Sequence, residues 1–103
     1  MRFITYWELS EDMTLEERSE IAQKLTTSHF FPLQGVEIVR WDATPDGWGV
    51  LVAEADDAAA IANALNAWRA AGRGFFRLTK TAPAMPVQAT IAGATDLLTS
   101  VPV

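Results

Sequence analysis

The spacing of apolar residues along the chain alternates between strand-like and helical periods. From Phe3 to Leu9 the residues are aromatic, β-branched or aliphatic almost without interruption, which predicts a strand. One face of it carries Phe3, Thr5, Trp7 and Leu9, the other Ile4, Tyr6 and Glu8. Both faces can be buried, as expected of a central strand. Leu15, Ala22, Leu25 and His29, with Ile21 beside them, then recur at helical spacing, while Glu16, Glu17, Glu20 and Lys24 fall mostly off that stripe. Thr14 followed by Glu17 forms a capping box, so the spacing predicts a helix from Leu15 to Ser28. Phe30-Phe31-Pro32-Leu33-Gln34-Gly35 reads as a loop. A strand from Val36 to Trp41 or Asp42, the turn Pro45-Asp46-Gly47 and a strand from Trp48 to Glu54 make a hairpin. Val50-Leu51-Val52-Ala53 is apolar on both faces, so this third strand also reads as central. Asp56 and Asp57 offer an N-cap to a helix over Ala58 to Ala71, with Ile61, Leu65 and Trp68 on its stripe and Gly72 as its stop. Gly74 to Thr81 reads as a fourth strand. Beyond Ala82 the texture changes. Pro83 and Pro86 bracket a break, and Val87, Ile91, Ala94 and Leu98 recur at helical spacing weakened by Thr90, Gly93 and Thr95. This predicts a short terminal helix and a loose tail.

The order strand, helix, strand, strand, helix, strand is the ferredoxin-like βαββαβ pattern, an α+β fold with a four-stranded antiparallel sheet and two helices on one face. Right-handed crossovers put the first and third strands in the centre. The residue numbers divide accordingly: 1–83 is the ferredoxin-like domain and 84–103 a C-terminal extension of it. Two helices cover only one face of such a sheet, and the other face here is apolar enough to require a partner. The expected partner is a second copy, packed face to face around a shared cavity. The fourth strand lies at an edge and needs cover. The apolar residues Val87, Ile91, Ala94, Leu97 and Leu98 of the tail suggest that it packs on the partner subunit or across the dimer edge.

Composition narrows the classes. The chain has 103 residues, 50% of them hydrophobic and 20% charged, which describes one globular domain and excludes a disordered one. No apolar run approaches the ~18 residues of a membrane span, and the N-terminus turns acidic at Glu8 before a signal-peptide core can form. With no cysteine there is no disulfide framework, thiolate nucleophile or cysteine metal site, and a cytoplasmic location is expected. A net charge of −5 argues against nucleic acid as a partner.

Several segments carry a resemblance. They are Arg2-Phe3-Ile4-Thr5-Tyr6-Trp7, the Arg40-Trp41 pair, Gly47-Trp48-Gly49-Val50-Leu51-Val52, the run Glu54-Ala55-Asp56-Asp57-Ala58-Ala59-Ala60, and Trp68. Over Arg2 to Pro83 the chain resembles the dimeric α/β barrel superfamily, and within it a family of small domains of unknown function. The resemblance implies the fold and a homodimer, and no reaction. Elsewhere in that superfamily are cofactor-independent monooxygenases and isomerases, so it also leaves room for an enzyme of that kind.

The topology brings the candidate residues together. Trp7, Trp41, Trp48 and Trp68 map to one end of the domain, as packing aromatics or as the wall of a pocket for a flat organic ligand. Tyr6, Trp7, Trp41 and Trp48 are the expected ligand-binding residues. Tyr6 and Glu8 share the strand face expected to line the cavity, and the antiparallel fourth strand brings Arg73 or Arg77 to Glu8. Tyr6, Glu8 and Arg77 are therefore the catalytic candidates, set against a purely structural ion pair. His29 falls at the opposite end with Glu54, Asp56 and Asp57, and as the single histidine it offers no two-histidine metal site. Gly72-Arg73-Gly74 is too short for a phosphate loop and precedes a strand, and no cofactor is implied. The expectation is a homodimeric domain holding an apolar or aromatic small molecule between its two sheets. The alternative is a cofactor-independent monooxygenase- or isomerase-like enzyme.

Overall fold

The computed structural model describes residues 1–102. Its elements are β1 (Arg2–Leu9), α1 (Leu15–Thr27), β2 (Val36–Ala43), β3 (Trp48–Ala55), α2 (Ala58–Ala71), β4 (Phe76–Pro83) and α3 (Val87–Ser100). The four strands form one antiparallel sheet in the order β2-β3-β1-β4, so the two strands that are apolar on both faces are the central ones. This is the expected ferredoxin-like α+β arrangement with a third helix appended.

The alternation of β1 sorts its side chains as the sequence suggests. Phe3, Thr5 and Trp7 face the helices and are buried, while Ile4, Tyr6 and Glu8 face the other way and are not. Leu51 and Ala53 of β3 join the buried set, and Ile21, Leu25, Ile61, Ala64 and Trp68 close it from the helix side. Thr5 is the one polar residue in this layer, at 1% exposure, and its hydroxyl meets that of Thr81 at 2.8 Å. Gly49 allows a close approach in the core: a Cβ there would collide with the backbone carbonyl of Asp42 and the indole of Trp7.

Two elements differ from expectation by more than one residue. β4 begins at Phe76 and ends at Pro83, two residues later than Gly74 to Thr81. Gly74 takes φ +73° and serves as a turn, and the Phe75 carbonyl accepts from the Ser10 N–H outside the ladder. At the far end Pro83 pairs with Phe3, as a proline can on an edge strand. α3 is a helix of 14 residues and not a short one with a loose tail. None of its residues is buried. It leaves the body of the domain and covers neither β4 nor the open sheet face, and the radius of gyration is 17.0 Å, against about 13 Å for a compact chain of this length.

Candidate functional site

The sheet separates two places where chemistry can gather. On its open face the central strands are largely apolar: Ile4 opposes Val52 and Ala82, and Tyr6 opposes Val50 on one side and Lys80 of the β4 edge on the other. Charge lies mostly toward the margins, with Arg2 bonded to Glu54 at 2.8 Å and Arg40 paired with Asp42 on the β2 edge.

Tyr6 and Glu8 are two residues apart on β1 and so point the same way. The Tyr6 hydroxyl donates to Glu8 Oε1 at 2.9 Å, and Arg77 Nη2 donates to Oε2 at 3.2 Å. In a regular ladder Arg77 would face the helices, because its neighbour Leu78 pairs with Glu8 on the open side. The pairing shifts between Glu8 and Leu9, and Arg77 is the unpaired residue at that irregularity, free to reach Glu8. Arg73 forms no ion pair with Glu8 among the described residues. The hydrogen bond from Tyr6, aided by Arg77, holds the Glu8 carboxyl below the usual glutamate range. Burial, with Glu8 as hydrogen-bond acceptor, pushes the Tyr6 phenol above its ordinary value. Trp48 opposes Glu8 in the register, with its ring 5.8 Å from that of Tyr6.

The four tryptophans are divided by the sheet. Trp48 stands on the open face with Tyr6. Trp7, Trp41 and Trp68 stand on the helix side, where Trp41 meets Trp68 edge to face at 5.5 Å and Trp68 meets Phe75 at 5.1 Å. Of the expected ligand residues, then, Tyr6 and Trp48 are brought together, while Trp7 and Trp41 belong to a second place.

That second place is an open pocket of about 480 Å³ beneath α1, lined by Trp7, Trp41, Trp68, Phe75 and Phe76. It exists because of the composition of the helix. α1 buries only Ile21 and Leu25, in its C-terminal half. Its first two turns read Leu-Glu-Glu-Arg-Ser-Glu, with no bulky apolar residue turned inward, and Leu15 is exposed. On the core-facing stripe between Leu15 and Ala22 stands Arg18, half-buried on the wall of the pocket. Its Nη2 donates to the Ser10 carbonyl, and its Nε–H is shut off from solvent with no acceptor. The indole N–H of Trp7 is likewise buried and without an acceptor. The apolar periodicity passed over Arg18. A charged residue on an otherwise apolar helical stripe is the signal that marks it.

A family model described as Domain of unknown function (DUF3303) matches residues 1–98. The chain belongs to this family. No curated protein and no solved structure matches it. The DUF3303 match runs through most of α3, past Pro83 where the motif resemblance ends. Several residues that carry the resemblance hold the fold together. Asp57 caps α2 through the Ala60 N–H at 2.8 Å, Glu54 ties Arg2 and the N-terminal amine to β3, and Gly49 makes room for Trp7. The DUF3303 chain has no group of three histidine or acidic side chains placed to hold a metal among the described residues. None of its helices is long and apolar enough to cross a membrane among those residues. His29, exposed at φ 58° just past the end of α1, forms no ion pair with Glu54, Asp56 or Asp57 among them.

Proposed function

We propose that this DUF3303 domain works as a homodimer whose open sheet faces pack together in the manner of a dimeric α/β barrel, holding an apolar or aromatic small molecule in the seam. The observation that carries the reading is the composition of the open face. Ile4, Tyr6, Val50, Val52, Leu78 and Trp48 make an apolar stretch across its central strands, with Lys80 on the β4 edge opposite Tyr6 and the Arg40–Asp42 and Arg2–Glu54 pairs toward its margins. Association surfaces have that pattern, with charge depleted at the core and polar groups at the rim. α3 adds weight to it. Val87, Ile91, Ala94, Leu98 and Val101 alternate at spacings of four and three, an apolar stripe that is left exposed.

The Tyr6–Glu8–Arg77 cluster sits at the edge of this centre and favours binding over proton transfer. A carboxylate held low by a phenol and a guanidinium is a weak base. The enzyme reading, cofactor-independent monooxygenase- or isomerase-like, rests on Tyr6 alone, whose phenol stays protonated and faces the seam.

Light scattering at micromolar concentration tests the dimer: the expected mass is twice that of the chain, and Ile4→Asp is expected to give a monomer, because a carboxylate buried in the seam has no partner. A wild-type monomer at that concentration overturns the reading. Quenching of Trp48 fluorescence by a flat apolar ligand, lost in Trp48→Phe, tests the seam as the binding place.

A further inference from the structure

The pocket beneath α1 lies on the other side of the sheet from the seam, and its chemistry is of another kind. Its walls are the rings of Trp7, Trp41, Trp68, Phe75 and Phe76, which suit a flat apolar body. Its volume, about 480 Å³, falls within the range of about 300–1,000 Å³ typical of small-molecule sites. Arg18, on the same wall, has no carboxylate partner among the described residues. The nearby Glu8 is taken by Tyr6 and Arg77, and neither Glu11 nor Asp46, which border the adjoining cleft, lies within ion-pair distance of it. The Arg18 guanidinium thus stands on the wall of an open aromatic pocket with no anion to neutralise it among the described residues.

We propose that this pocket binds a small aromatic carboxylic acid, its ring between the tryptophan walls and its carboxylate on Arg18. A planar guanidinium matches a carboxylate with paired N–H donors. A single negative charge fits better than a phosphate, because one cation serves the pocket and three carboxylates border the adjoining cleft. The site opens under a helix whose inward residues are too small or too polar to fill it, so a ligand enters without displacing a packed core side chain. The proposal does not depend on the dimer.

The test uses the full chain with naphthoate and its neutral isostere naphthamide, by calorimetry and by proton–nitrogen correlation spectra. The acid is expected to bind about tenfold or more tightly than the amide, the difference made by a charge-assisted hydrogen bond. The indole N–H resonance of Trp7, identified by its loss in Trp7→Phe, is expected to shift on titration. That of Trp48, identified in the same way, is expected to stay, which separates this site from the seam. Arg18→Met keeps the apolar stem and is expected to bring acid and amide to equal affinity. The proposal is overturned by equal affinities in the wild type, by no binding of either compound at millimolar concentration, by a shift of the Trp48 resonance without that of Trp7, or by an acid preference that survives in a folded Arg18→Met. The wild-type comparison and the resonance map decide the matter even where a variant does not fold.

Discussion

Tyr6 is the single tyrosine of the chain, so its ionisation can be followed by tyrosinate absorbance without ambiguity. Burial and Glu8 raise its pKa while Arg77 lowers it. Two signed outcomes follow: Glu8→Gln brings the titration down toward the ordinary value of about 10, and Arg77→Met moves it further up. A tyrosinate curve that neither substitution moves shows that the cluster is not formed in solution. Glu8 itself has a depressed folded pKa, from the Tyr6 hydrogen bond first and Arg77 second, and Glu54 has one from Arg2. A depressed carboxylate stabilises the fold above its unfolded pKa and loses that contribution as pH falls through the folded value. Urea midpoints at fixed protein concentration are therefore expected to fall below pH ~4.3, and to fall less steeply in Glu54→Gln. Deeper in the chain, Gly49→Ala is expected to cost about 3 kcal/mol or more, since its Cβ meets backbone and a packed indole that cannot retreat.

At the scale of elements, a local signal was read best where local chemistry sets the ends. α2 spans Ala58 to Ala71 as expected because Asp57 caps it and Gly72 closes it. The Thr14–Glu17 capping box of α1 is present in both directions, with Thr14 Oγ1 accepting the Glu17 N–H at 3.1 Å. Thr14→Ala is expected to cost about 1 kcal/mol in urea unfolding, and a loss near zero would show that α1 does not depend on its cap. Where the outcome depends on distant parts of the chain, the sequence was less readable. The start of β4 is set by Ser10 taking the Phe75 carbonyl, and the reach of Arg77 by an irregular pairing, neither of which leaves a mark in periodicity. The order of the elements places the four tryptophans toward one end, but the face each takes depends on pairing register, which puts Trp48 opposite Glu8 and Trp41 opposite Leu51. The pocket was hidden for a related reason. It is the space left by small and polar residues on α1, and a void becomes visible only when the walls on the other side of it are in place.

For the whole molecule the unsettled free energy lies in α3. A helix of 14 residues containing Gly93 and four threonine or serine residues is marginal in water without tertiary contacts, yet none of its residues is buried. The open sheet face measures about 19 by 26 Å from strand spacing and rise. α3, about 21 Å long, adds its exposed apolar stripe to the proposed interface if it lies against the second copy. The consequence is specific. Deleting residues 84–103 removes no buried side chain of α3, so the fold of the remaining body is expected to persist, as judged by its circular dichroism. Dimer affinity is expected to fall. The full chain should melt at a temperature that rises with protein concentration, because association stabilises by mass action, and the truncated chain should melt lower at equal concentration and show a weaker concentration dependence. Equal dimer affinity and equal melting in the two chains would show that α3 contributes nothing to association, and the proposed dimer would then rest on the open sheet face alone.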